Sequence, residues 1–79
     1  MKRLLNWFVS EGFVVNLDFD YEIRASIGAV AIRINRLQNG YMLSLKQITK
    51  EGDCQVIEKT CRTSNDVIGI IKEKCIFSD

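Results

Sequence analysis

Histidine and proline are both absent from this 79-residue chain. Without histidine there is no side chain whose ordinary titration spans neutral pH, so the commonest general base and metal ligand is missing. Ser-His, Cys-His and histidine-containing zinc constellations are excluded with it. Cysteine is sparse: Cys54, Cys61 and Cys75 are seven and fourteen residues apart and form no CxxC pair. An odd number of thiols, in a chain that opens without a secretory leader, argues for reduced cysteines in a cytosol serving as small apolar side chains. No metal site, no cofactor site and no catalytic site is expected. The five glycines, Gly12, Gly28, Gly40, Gly52 and Gly69, stand singly, so no glycine-rich loop is available to cradle a phosphate. Four of them fall at expected turns. Gly69 lies inside a helical stretch, where its expected role is close packing of helix on sheet.

Long apolar runs are missing too. The stretch from Ile27 to Ile32 is far shorter than the ~20 residues of a membrane span. Lys2-Arg3-Leu4-Leu5 opens like a leader, but Asn6, Ser10 and Glu11 interrupt it. The reading is a soluble, cytoplasmic chain with no membrane partner. Eleven cations against ten anions leave a net charge of +1, too little to make a field for a polyanion.

What is present is an ordinary globular mixture, 47% apolar and 27% charged, of a length for one domain spanning residues 1–79. Folding is expected to bury roughly 8,000 Å². Taking a little over half of that as apolar, at ~25 cal/mol/Å², burial contributes on the order of 120 kcal/mol, and ordering the chain costs about the same. Such a domain folds alone but gains from a second copy or a partner that covers leftover apolar surface.

Residues 2–11 place Leu4, Leu5, Phe8 and Glu11 along one side, with Trp7 and Val9 widening the stripe, which predicts a short amphipathic helix closed by Gly12. From Phe13 the period changes. Phe13, Val15, Leu17, Phe19, Tyr21 and Ile23 alternate with Asn16, Asp18, Asp20, Glu22 and Arg24, which predicts one long strand with a core face and a water face. Gly28 marks a turn, and Val30, Ile32 and Ile34 alternate beyond it. Asn39-Gly40 is a primed-turn dipeptide. Centred there, a hairpin sets Gln38 opposite Tyr41, Arg36 opposite Leu43, Ile34 opposite Leu45 and Ile32 opposite Gln47. After a turn over residues 50–53, residues 54–61 form an edge strand whose inward set is either Cys54 and Val56 or Ile57 and Cys61. Thr63, three residues before Asp66, starts a helix by a capping box. Val67, Ile68, Ile70, Ile71 and Cys75 then carry its apolar stripe to about Ile76. The fold class is α+β: an antiparallel meander of three to four strands, with N- and C-terminal helices packed on one face.

The other sheet face is expected to be open. On it Asp18, Asp20 and Glu22 follow each other at alternate positions, roughly 7 Å apart, near the phosphate spacing of a nucleic acid. The plainer reading is a solvated ladder, since a turn at Ile27-Gly28 would set Glu22 opposite Arg33 with Lys46 beyond. The same face carries Leu37, Met42 and Ile48, with Ala31, ringed by Arg33, Asn35, Ser44 and Lys46, an arrangement suited to a contact patch. Paired carboxylates need a cleft to do acid–base chemistry, and one sheet with two helices provides little concavity, so an enzyme is not expected.

In element order, helix–three strands–helix, the chain resembles the double-stranded RNA-binding domain. That family grips phosphate with a basic cluster at the start of its second helix, and here the matching stretch is Thr63-Ser64-Asn65-Asp66, neutral to acidic. The alternating strand, the Asn39-Gly40 hairpin and the short terminal helix also resemble small phage-encoded α+β inhibitors of the anti-CRISPR type. That resemblance implies a stoichiometric inhibitor in the host cytoplasm that binds a defence nuclease and blocks its DNA or guide site. The expectation is a non-enzymatic interaction module that presents its open face to a larger protein or protein–nucleic-acid complex. Asp18, Asp20 and Glu22 would supply electrostatic complementarity, and Leu37, Met42 and Ile48 apolar contact. Two alternatives stand beside it: weak nucleic-acid binding through Lys2, Arg3, Arg33, Arg36 and Lys46, and a homodimer formed through the edge strand or the Leu37–Met42 patch.

Overall fold

The chain runs α1 (Lys2–Ser10), β1 (Val14–Asp18), β2 (Glu22–Ile27), β3 (Val30–Leu37), β4 (Gly40–Ile48), β5 (Cys54–Cys61) and α2 (Ser64–Lys74) in a computed structural model. Residues 2–18, 21–48 and 51–74 are described, with the main chain alone at Leu17 and Asp18. Asp20, Lys50, Cys75 and Ile76 lie outside them, and with Cys75 and Ile76 the expected end of the second helix.

Both helix boundaries that the sequence suggests are made by specific bonds. Gly12, at φ 88°, lets its N–H reach the Val9 carbonyl at 3.1 Å and the Phe13 N–H reach that of Phe8 at 3.0 Å. This paired closure satisfies carbonyls that the end of α1 would otherwise leave open. It also delivers Phe13 to the core, where its ring meets Phe8 edge-on at a centroid distance of 5.0 Å. At the start of α2 the Thr63 hydroxyl accepts the Asp66 N–H at 3.1 Å, as the capping box predicts.

All five strands form one antiparallel sheet in chain order, β1-β2-β3-β4-β5. That is one or two strands more than expected, because the segment read as a single long strand folds back on itself. Asp18 lies opposite Glu22, Leu17 opposite Ile23 and Val15 opposite Ala25. The intervening loop, residues 19–21, has an odd length. Odd residues therefore still face odd residues, and the alternation passes through the turn unbroken.

In the next two hairpins each turn is centred one residue from its expected place, so every partner is displaced by two residues. Ile34 pairs with Leu43 rather than Leu45, Ile32 with Leu45 rather than Gln47, and Arg36 with Tyr41. Glu22 pairs with Asn35, and Arg33 with Arg24. Gly28-Ala29 and Gln38-Asn39 are the two-residue loops, and Gly40 opens β4 instead of sitting in the turn. Its lack of a side chain serves a different need: a Cβ there would land on the Cys61 carbonyl oxygen. Because a displacement of two residues preserves parity, every side chain stays on its expected face.

One face holds the core. Ile23, Ala25, Val30, Ile32, Ile34, Leu43, Leu45 and Cys61 are buried there against Leu4 and Phe8 of α1 and Val67 and Ile71 of α2. Each such large side chain contributes about 1.5–3 kcal/mol. The ambiguous β5 turns Cys61 fully and Ile57 partly inward, leaving Cys54 and Val56 exposed. Gly69 does not mediate helix–sheet packing. It lies on the flank of α2 away from Val67 and Ile71, exposed, and a Cβ there would meet nothing within 4 Å. The chain exposes 5515 Å², roughly 600 Å² more than the ~4,900 Å² of a compact monomer of this mass.

Candidate interaction surface

The open face is built from three cross-strand rows, each fixed by register. Asp18, Glu22, Asn35, Met42 and Thr60 make the first, and Asn16, Arg24, Arg33, Ser44 and Glu58 the second. Val14, Ser26, Ala31, Lys46 and Val56 make the third. The second row, and the third apart from Val14, line a depression of about 390 Å³, open to solvent. Arg24, Ser26, Arg33, Ser44 and Lys46 of the central strands make it polar, and Asn16 of β1 and Val56 and Glu58 of β5 border it, Val56 being 58% exposed.

The expected acidic row is not present as a row. The hairpin between β1 and β2 puts Asp18 on one strand and Glu22 across from it on the next, so among the described residues these two do not follow one another along a strand. Glu22 is already engaged: its Oε1 accepts from Arg24 Nε at 2.8 Å and lies 3.4 Å from Arg33 Nε. The expected Glu22–Arg33 pairing thus exists, but on the diagonal. Two arginines directly opposite one another are a like-charge pair, which one shared carboxylate offsets. Lys46 adds a third cation on the neighbouring row. The centre of the open face is therefore cationic, not acidic.

Leu37, Met42 and Ile48 do not form one patch. Leu37 and Met42 are diagonal neighbours at the β3–β4 turn, and Met42 is half-buried, with the Thr60 hydroxyl directed at its sulfur at 3.9 Å. Ile48 lies six residues further along β4, about 20 Å away at ~3.4 Å per residue. It belongs to the opposite end of the face, beyond Val56. Asn35, between Glu22 and Met42, keeps a buried Oδ1 with no hydrogen-bond partner among the described residues. Of the predicted residues, Arg33, Ser44 and Lys46 line the depression. Sequence reasoning missed Asn16, Arg24, Ser26, Val56 and Glu58, which also line it.

The cations assigned to the nucleic-acid alternative do not converge. Lys2 and Arg3 are on α1, and Arg36 is on the helix-bearing face, where it pairs with Tyr41. Only Arg33 and Lys46 share the open face. Among the described residues no group of three or more Cys, Asp or Glu is placed to hold a metal ion, and no helix is long and apolar enough to cross a membrane. The Cys61 thiol is pushed up from its ordinary pKa by burial first and by the Asp66 carboxylate second, against the opposing charge of Lys59. It is held as the neutral thiol, the unreactive form. Comparison with known proteins returns no matching family model, no matching curated protein and no matching solved structure.

Proposed function

We propose that this chain is a non-enzymatic binding module whose open sheet face docks a partner protein presenting carboxylates. The observation that carries the proposal is the depression on that face, where Arg24 and Arg33 stand opposite one another beside Lys46, with Ala31 and Val56 as apolar neighbours. Guanidinium groups are forked donors suited to a carboxylate, and an apolar border excludes water from such contacts. A polyanion is the poorer occupant, because Glu22 and Glu58 share the face with the three cations and the net charge is near zero.

A stoichiometric inhibitor of a larger host protein, as the phage-inhibitor resemblance implies, is the finer form of this reading. It acts by covering a partner's surface and needs no imitation of nucleic acid. The test is charge reversal. Arg24→Glu, Arg33→Glu and Lys46→Glu, singly and combined, should each weaken partner capture at least tenfold, while Arg36→Glu on the other face should not. Unchanged capture by the combined variant would refute the proposal. Binding to nucleic acid with a steep salt slope would replace the protein partner with a phosphate backbone.

A further inference from the structure

The main chain of the last strand defines a second surface. Ile48 donates its N–H to the Ala29 carbonyl across β3 and β4 at 3.1 Å, so even-numbered β4 residues turn their main-chain groups toward β3. Bonded and non-bonded pairs alternate along an antiparallel ladder. The odd residues of β4 therefore bond to β5, through Tyr41–Cys61, Leu43–Lys59, Leu45–Ile57 and Gln47–Gln55. It follows that Cys54, Val56, Glu58 and Thr60 aim their N–H and C=O groups away from the sheet. β5 ends the strand order, so no strand of the described residues meets these four donors and four acceptors.

The opposite edge is poorer. Arg36 donates to the Tyr21 carbonyl at 2.6 Å, and the same alternation leaves only Val15 and Leu17 of β1 facing outward. Edge strands are usually blunted by proline, by bulges, by charged side chains or by being short. Of these β5 has only the charges of Glu58 and Lys59: it has eight residues and no proline, and pairs with β4 at every residue without a bulge.

We propose that β5 pairs antiparallel with β5 of a second copy about a two-fold axis at Ile57, making one continuous sheet of ten strands. In that register Cys54 faces Thr60 of the second copy and Val56 faces its Glu58, so all four outward residues of each copy find main-chain partners. Gln55 faces Lys59, and Ile57 faces its own counterpart. No like charges stand opposite one another. One step of the register in either direction is worse: in one, Glu58 meets Glu58, and in the other Thr60 runs past the end of the strand. Ile57 is only partly buried at the margin of the core, and the two-fold contact completes its burial.

The axis keeps all four helices on one side and joins the two open faces on the other. Each depression is bounded by Val56 and Glu58 of β5, so the two adjoin across the seam. This dimer is independent of the partner proposed above and is read by mass, not by capture.

Sedimentation equilibrium of the full chain should give twice the 9.1 kDa chain mass. Glu58→Pro removes an outward N–H while leaving the β4 ladder intact, and should yield a folded monomer whose dimer dissociation constant rises at least a hundredfold. With Cys54 and Cys75 replaced by Ser, Ile57→Cys should form a disulfide-linked dimer under mild oxidation, because directly opposed non-bonded residues have Cα atoms about 4.5 Å apart. Gln55→Cys in that background should not. A wild-type monomer at several hundred micromolar would overturn the proposal, as would a dimer that survives Glu58→Pro or equal cross-linking by the two cysteine variants. A monomer that takes up a foreign extended segment along β5 would also overturn it, assigning the edge to another protein.

Discussion

Arg24 and Arg33 stand directly opposite one another on β2 and β3, and one oxygen of Glu22 serves both, 2.8 Å from one Nε and 3.4 Å from the other. Glu22 is the more sheltered member, with its side chain 16% exposed. The arrangement holds two guanidinium groups side by side at the centre of the open face, where a partner's carboxylates would meet them.

Removing that carboxylate should expose the repulsion. Glu22→Gln is expected to lower stability by about 0.5–1 kcal/mol in low salt, from a lost ion pair and an unshielded like-charge pair. The loss should shrink at 0.5 M salt, where charges at the surface are screened. Arg33→Thr added to Glu22→Gln should restore most of it. Chemical denaturation at two salt concentrations measures all three values, and a loss that ignores salt would contradict the bridging role.

Two glycines should respond in opposite directions. Gly40→Ala drives a methyl group onto the Cys61 carbonyl oxygen and should destabilise the chain by about 1–3 kcal/mol, the usual range for overpacking. Gly69→Ala adds a methyl group to open space in a helix and should stabilise it by about 0.5–1 kcal/mol. Thermal melts of the two variants give the comparison directly.

These glycines also mark how far the fold could be read from the sequence. Burial enforces alternation, so the face of each residue in β2, β3 and β4 was legible, and the two-residue displacement of partners left it intact. The turn between β1 and β2 was not legible. An odd loop preserves parity, so Phe13 to Ile23 has the same pattern as one strand or as two. Asp18 and Glu22 part onto two strands at that turn, and Arg24 comes opposite Arg33 because the β2–β3 turn is centred one residue later than expected. Val56 was ambiguous for another reason. β5 is an edge strand, exposed in part on both faces, and nothing forces its side chains to alternate cleanly. Gly69 was misassigned because a helical glycine marks close approach only on the flank turned to a neighbour.

Cys61 supplies a pH prediction. Its thiol pKa is raised in the folded chain, by burial and then by Asp66, so above the ordinary value of 9.0 the unfolded chain loses the proton more readily than the folded one. The stability associated with the neutral thiol is complete below that pH and is lost as pH rises through the folded value. The stability difference between the wild type and Cys61→Ala should therefore shift against the wild type between pH 8 and pH 11. A difference constant over that range would contradict the assignment. With Cys75 replaced by Ser, a thiol reagent should modify the exposed Cys54 promptly and Cys61 only as the fold opens.

The central claim, that the open sheet face is the binding surface, is tested most directly by position-specific photocross-linking. A photoreactive residue at Ser44, inside the depression, is compared with one at Lys72, exposed on α2, in a lysate of the organism that encodes the chain. The account predicts a discrete cross-linked partner from Ser44, abolished when Arg24 and Arg33 are both reversed in charge, and none from Lys72. The same partner captured from Lys72 and not from Ser44 would contradict it.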